Sequence, residues 1–174
     1  NKNYQFSGGL HGVGISVVNA LSTLVQVKVK RDSQEYAISF ENGNKSSELA
    51  VIGSVPKRHT GTSVRFWADP QYFDTPKFAT KALKHLLKAK AVLCPSLQIK
   101  WVDKQAKEEE IWFYEDGLRA YLIDSCKEFA VLPAEPFVGD FKGEHAACEF
   151  AVFWQPEGGE TIQESYVNLI PTVQ

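Results

Sequence analysis

The sequence predicts an α+β fold, and three observations carry that prediction. Some stretches repeat apolar residues at helical spacing, others alternate apolar and polar residues strictly, and a tight turn signal joins neighbouring strands as antiparallel pairs. The chain has 174 residues, which suits one average domain or one and a half smaller ones.

Val13, Val17, Val18 and Leu21 recur at helical spacing, so a helix is predicted from His11 to about Leu21. "LVQVKVKR" follows, with Val25, Val27 and Val29 on one face and Gln26, Lys28 and Lys30 on the other, which predicts a half-buried strand. "EYAISFENGN" predicts a second strand that ends in a turn at Asn42-Gly43. "ELAVIGSV" and "TGTSVRFWADP" predict a third and a fourth strand, the last opened by a glycine and closed by Asp-Pro.

Asp74, Thr75 and Pro76 set up a helix start, with the helix running to about Leu93. Phe78, Ala82, Leu86, Ala89 and Leu93 are expected to face inward, and Lys77, Lys81, Lys84 and Lys88 to line the other side. "LQIKWVDK" and "EEEIWFYE" predict two strands around a polar turn, and "GLRAYLIDSCKEF" a helix. "LPAEPFVGDFKGEHA" is rich in proline and glycine and is expected to be irregular, and the stretch from Ala147 to Ile170 a strand pair around Gly158-Gly159. The change of pattern at Asp116-Gly117 predicts two domains, 1–116 and 117–174, the second continuing past Gln174.

Composition narrows the function classes. Hydrophobic content of 44% and charged content of 23% predict a packed core. A net charge of −2 shows no globally basic nucleic-acid-binding character, although it leaves room for a local patch. Cys94, Cys126 and Cys148 are far apart and form no C-x-x-C pair, which argues against a disulfide framework or zinc site and for a reducing compartment. No apolar run is long enough to span a membrane, and "NKNYQF" does not resemble a signal peptide. A cytoplasmic protein is expected. The absence of methionine suggests a processed or partial piece.

"SGGLHGVGIS" is the stretch with most chemistry in it. Gly8, Gly9, Gly12 and Gly14 give G-G-x-x-G-x-G, which fits neither the dinucleotide-binding G-x-G-x-x-G nor the Walker G-x-x-x-x-G-K-[ST]. Glycines nevertheless let backbone N–H groups approach a phosphate closely, and a helix start adds its positive dipole end at the same place. An anion cradle and a plain glycine-rich turn both remain open on spacing alone.

"SGGLHGVGISVVNALS" closely resembles the lid-to-helix segment of the ATPase domain of bacterial type II topoisomerases, members of the GHKL superfamily. "TGTSVRFW" looks like that family's strand carrying a nucleotide-pocket threonine, and "KAKAVLCP" and "ESYVNLIP" look more like the topoisomerase IV side of the family, in its B subunits, than the gyrase side. Nearly all of the chain aligns in order with the family. The resemblance implies the C-terminal part of a two-layer GHKL-type ATPase sandwich in residues 1–116, followed by the start of a transducer domain that couples nucleotide state to a DNA gate.

The resemblance also implies roles. Gly9, Leu10, His11, Gly12, Val13 and Gly14 match the loop whose amides wrap the ATP phosphates, and Tyr4 matches a lid tyrosine near the nucleotide. Thr62 matches the threonine on the adenine side, while Arg31 and Val64 match positions at the rim and floor of the pocket. The lid, residues 1–9, is expected to be disordered without nucleotide. The family's general-base Glu and magnesium-binding Asn are expected upstream of Asn1, and a Lys that reaches the γ-phosphate beyond Gln174, so no catalytic or metal-binding residue is assigned within this chain. The implied activity is ATP-driven passage of one DNA duplex through another, with ATP and Mg2+ as cofactors. The implied partners are DNA, a DNA-cleaving partner subunit in a heterotetramer and a second ATPase domain, with no membrane, in the nucleoid-associated cytoplasm. The alternatives are a B subunit of gyrase, a nucleotide-binding piece inactive alone, and an ATP-gated clamp of the chaperone or mismatch-repair type; "TGTSVRFW" and "ESYVNLIP" argue against the last.

Other residues carry plainer readings. His11 is expected to act through its backbone N–H. His59, His85 and His145 lack metal-ligand spacing. The stripe Lys77, Lys81, Lys84 and Lys88 reads as a solvated helix face, with DNA phosphate contact as the other reading. Trp67, Trp101, Trp112 and Trp154 read as core or sheet-face packing, and Glu108, Glu109 and Glu110 as a charged turn.

Overall fold

The computed structural model describes residues 12–75, 77–158, 161–167 and 169–172. It is a mixture of helix and strand, as expected, and it divides into two compact units between Phe78 and Ala79.

In the first unit a short helix, α1 (Gly14–Ala20), leads into a five-stranded antiparallel sheet. Its strands are β1 (Ser22–Arg31), β2 (Gln34–Glu41), β3 (Asn44–Lys45), β4 (Ala50–Ser54) and β5 (Gly61–Ala68). β1 is central: β2 pairs with one side of it and β5 with the other, while β3 and β4 share the outer edge of β2. The alternation in β1 is realised, with Val25 only 2% exposed and Lys28 and Lys30 exposed on the other face. Asp32 and Ser33, both at positive φ, turn β1 into β2, and Asn42-Gly43 makes the next turn as its sequence predicts.

The helix predicted from His11 starts instead at Gly14, after a bend at Gly12. Gly12 has φ 66, a left-handed conformation that interrupts the helix upstream of Val13. The Ser22 hydroxyl donates to the Val18 carbonyl at 2.6 Å, and the Asp69 N–H donates to the Leu21 carbonyl at 3.0 Å, so the end of α1 is tied to the start of β1 and the end of β5.

The second unit holds α2 (Thr80–Leu93), the hairpin β6 (Ile99–Asp103) and β7 (Glu108–Trp112), α3 (Gly117–Cys126), the hairpin β8 (Leu132–Lys142) and β9 (Ala147–Trp154), and the short pair β10 (Tyr166–Val167) and β11 (Ile170–Pro171). Ala91, Val92, Trp112 and Tyr114 form its buried core, against which Leu87, Ile99, Trp101, Leu118 and Tyr121 pack. The turn before α3 requires glycine: Gly117 has φ 52, and a Cβ there would lie 3.3 Å from the Val92 carbonyl oxygen. The domain boundary expected near residue 116 falls at this turn, within the second unit.

The structure departs from the sequence expectation at five further points. α2 begins at Thr80, not at Asp74–Pro76, and has no side-chain cap. Its packed side is rotated: Ala89, Ala91 and Val92 are buried, Phe78 and Leu86 are 61% and 40% exposed, and Lys84 and Lys88 are half-buried. Glu108, Glu109 and Glu110 lie in strand β7 rather than a turn. "LPAEPFVGDFK" is strand β8 rather than irregular, and β9 pairs with it instead of folding back around Gly158. β8 tolerates two prolines because Pro133 and Pro136 fall in the register shift between Leu132 and Phe137, where no ladder N–H is needed.

Of the four tryptophans, Trp112 is buried and Trp101 half-buried, while Trp67 and Trp154 are 37% and 56% exposed on their strands.

Candidate functional site

The site expected from the sequence centres on β1 and β5. Antiparallel pairing places Thr62 opposite Val29 and Val64 opposite Val27. Residues paired in this way share a face, and so do residues two apart along a strand. Thr62, Val64, Val27, Val29 and Arg31 therefore lie on the same face of the sheet, the face that also carries Val25 and Phe66. A single hydroxyl stands at the Thr62 position among aliphatic neighbours. This is a composition suited to the flat, largely apolar face of a purine with one polar edge. Thr62 is exposed and Val64 is 44% exposed, so the face is accessible. Arg31 stands at the end of β1, its guanidinium 3.3 Å from the Asp32 carboxylate in an exposed pair.

The glycine turn is built on the same two strands, since α1 packs against β1 and β5. Of the residues expected to cradle phosphate, Gly12 is at the bend, Val13 is the residue before the helix with αR backbone angles, and Gly14 is the first helical residue. Among the described residues, a Cβ added at Gly12 or Gly14 would meet nothing within 4 Å, so none of them closes the backbone there to an approaching group. An ATP phosphate chain fits this local chemistry, because uncrowded N–H groups at a helix start bind anions. Tyr4, Gly9, Leu10 and His11 lie outside the described residues.

Sequence reasoning did not single out Val27 and Val29 as site residues. Their period-two alternation already placed them together, but only the register against β5 sets Val29 opposite Thr62. Among the described residues, no group of three His, Cys, Asp or Glu side chains stands close enough to hold a metal ion.

The expected lysine stripe divides. Lys84 stands 2.7 Å from Glu108 and 2.6 Å from Glu110, and 5.8 Å above the Trp101 ring. Hydrogen bonds to Glu108 and Glu110 raise its pKa above the ordinary lysine value. Lys88 sits 5.2 Å above the Tyr121 ring. Lys77 and Lys81 are exposed. The stripe is thus neither uniformly solvated nor uniformly available to phosphates.

Two cavities in the second unit are lined by other residues. One, of about 330 Å3, is lined by His85, Glu164, Tyr166 and Thr172, and the other, of about 180 Å3, by Arg119, Val138, Glu149 and Phe150. Beside the first, Glu164 accepts hydrogen bonds from the Tyr121 hydroxyl at 2.9 Å and from the Tyr166 hydroxyl. Burial and the Glu164 carboxylate push Tyr121 up to about 12, and the same two causes raise Tyr166.

No family model matches the chain. The chain is 62% identical over its whole length to the B subunit of DNA topoisomerase 4 from Pseudomonas aeruginosa and 58% identical to that from Haemophilus influenzae, spanning 28% of each relative. Against the B subunit of DNA gyrase from Helicobacter pylori the identity is 34% over 99% of the chain and 22% of the relative. Among solved structures it resembles the topoisomerase IV ATP-binding domain of Francisella tularensis in complex with a small-molecule inhibitor, with TM-score 0.74 and 46% identity over 95% of the chain and 45% of that structure. It also resembles the 43K ATPase domain of Thermus thermophilus gyrase B in complex with an aminocoumarin, with TM-score 0.81 and 29% identity over 92% of the chain and 44% of that structure. The fold is therefore of the GHKL ATPase type.

Proposed function

The chain belongs to the family of bacterial DNA topoisomerase 4 B subunits, and we propose that it forms the phosphate-cradling and adenine-facing part of that family's ATP site. In this reading the amides of Gly9 to Gly14, with Gly12, Val13 and Gly14 at the helix start, wrap the phosphates. Thr62 bonds the base directly or through water, Val64 and Arg31 form floor and rim, and Tyr4 approaches the nucleotide from the lid. The observation that carries this is the β1–β5 register, which brings Arg31, Thr62 and Val64 to one face on the strands against which α1 packs.

The chain spans 28% of the length of those curated relatives, so the activity of the whole protein is also proposed. It is ATP-driven DNA strand passage, which decatenates and relaxes DNA, by a cytoplasmic, nucleoid-associated heterotetramer with a DNA-cleaving partner subunit. ATP binding brings two ATPase domains together around a duplex. Residues 117–174 begin the transducer. The greater identity to topoisomerase 4 than to gyrase relatives, 62% against 34%, favours decatenation over negative supercoiling.

Hydrolysis needs a base for water, a metal on the phosphates and positive charge at the γ-position. The resemblance assigns the base and the magnesium ligand to residues outside this chain, so the 174-residue chain alone is proposed not to turn over ATP. Calorimetric titration with a non-hydrolysable ATP analogue tests the binding reading. Micromolar affinity, weakened roughly 5-fold by Thr62→Ala, is expected, and no binding overturns it. ATP turnover by the chain above that of a Gly14→Ala variant overturns the proposed inactivity.

A further inference from the structure

The net charge of −2 conceals a local concentration of cations in the first unit. Lys28 and Lys30 are exposed on the sheet face opposite to Val25, Val27 and Val29. Pairing with β5 sets Arg65 on that same face, opposite Gln26, with its guanidinium 4.6 Å above the Trp67 ring. Gly61 lies opposite Lys30, so the loop that enters β5 arrives at the Lys30 end of the sheet. The Val55 N–H pins that loop by donating to the Ser33 carbonyl at 3.0 Å, and exposed Lys57 and Arg58 follow directly.

Lys28, Lys30, Lys57 and Arg58 are thus brought to one end of one sheet from two stretches of chain, with Arg65 farther along the same face. Among the described residues none of the five makes an ion pair. Of the nearby carboxylates, Asp32 is engaged by Arg31, and Glu35 faces Lys30 across the strands. Glu35 offsets part of the charge at Lys30, and the remaining like charges repel one another, a cost that a polyanion removes.

We infer that this cationic end of the β1–β5 sheet is a docking surface for the phosphate backbone of duplex DNA. Lysine and arginine contacts to phosphate supply affinity without sequence preference. A flat sheet face with a loop beside it presents no helix to a groove, so backbone contact rather than base reading is the mode it supports. The choice of duplex DNA rests on the topoisomerase reading above. The patch is separate from the nucleotide face, because Lys28, Lys30 and Arg65 point away from Thr62 and Val64 by strand alternation.

The test is fluorescence anisotropy of a labelled duplex with the 174-residue chain, at salt from about 50 to about 200 mM. Four phosphate contacts predict a slope of roughly −3.6 in log affinity against log salt, which is roughly a 100-fold loss over that range. The variant Lys28→Gln/Lys30→Gln/Lys57→Gln/Arg58→Gln should lose most of that slope. Lys57→Gln/Arg58→Gln, confined to an exposed loop, should lose about half of it if the larger variant fails to fold. A control with the same charge change elsewhere, Lys104→Gln/Lys107→Gln/Lys127→Gln/Lys142→Gln, should keep it. Equal slopes in the wild type and the patch variant overturn the inference, as does an equal loss in the control. Absence of salt-dependent duplex binding by the wild type overturns it as well. Titration with the ATP analogue on the same samples scores the topoisomerase reading separately: intact nucleotide binding beside a failed slope test sinks the patch and leaves the reading standing.

Discussion

In the second unit, Ala91, Val92, Trp112 and Tyr114 are each at most 8% exposed and close a core between two helices and a hairpin. In the first, Val25 and Ser22 are the buried residues among those described, and Val64 and Phe66 on the same face as Val25 remain 44% and 39% exposed. The second unit closes a small core around α2 while its hairpin β8–β9 leaves Phe137, Phe141 and Trp154 exposed, whereas in the first unit the apolar face of β1 and β5 itself stays open. The contrast fits their proposed roles, since a face that receives a purine must stay reachable and a core that carries a helix must not. The long helix shows the same division: Lys84 and Lys88 stay packed over Trp101 and Tyr121, with Lys84 also held by Glu108 and Glu110.

Trp112→Ala should break the second unit most severely, by about 3–5 kcal/mol. Calorimetric unfolding should show its transition fall while that of residues 12–78 stays in place; a common shift of both would erase the distinction between the units. Gly12→Ala comes next. It forces a left-handed φ of 66 on a residue with a Cβ, at about 1–2 kcal/mol. Because no described residue crowds Gly12, the turn can relax when empty, and the cost should appear as roughly a 10-fold loss of nucleotide affinity by titration, with an unchanged melting temperature. Thr62→Ala should lose about 1 kcal/mol of binding, roughly 5-fold, and equally little stability, because the residue is exposed. Equal affinity in Thr62→Ala would move the adenine off this face.

The smallest effect is alkaline and belongs to the second unit. Lys84 is raised above 10.5 by its glutamates, and Tyr121 is raised from 10.0 to about 12. The glutamates raise Lys84 and burial is the first cause for Tyr121; in both cases a raised folded pKa gives stability that is fully present below the unfolded value and is lost as pH rises through the folded one. Stability should therefore decline above about pH 10, and the decline should be shallower in Lys84→Met and in Tyr121→Phe. Melting temperatures taken from pH about 9 to about 12 would show it, and identical slopes in all three proteins would remove these side chains from the account.

Much of the first unit is written locally. The alternation of Val25, Val27 and Val29 and the turn at Asn42-Gly43 are short-range signals, and they yield β1 and the β2–β3 turn. The start of α3 at Asp116-Gly117 is equally local. What the sequence conceals is long-range. Three consecutive glutamates look like a solvated turn until Lys84 and Lys100 arrive opposite them. Pro133 and Pro136 look like strand breakers until a register shift places them off the ladder. The helix signal at Asp74–Pro76 misleads because α2 starts uncapped at Thr80. For the site, Thr62 and the glycine turn are legible through family resemblance, whereas the facing of Thr62 by Val29 and the convergence of Lys57 and Arg58 on Lys30 exist only once β1 and β5 pair.

The sharing of the outer side of β2 between two short strands has a consequence for how this sheet can grow. β3 has two residues and β4 five, with a register shift beside Glu35, so that margin is poorly suited to template another strand. At the opposite margin β5 is eight residues long and, among those described, pairs only with β1. Addition of a strand is thus directional: it favours the margin that carries Thr62 and Val64, so whatever lengthens the sheet there also adds to the face proposed for the nucleotide.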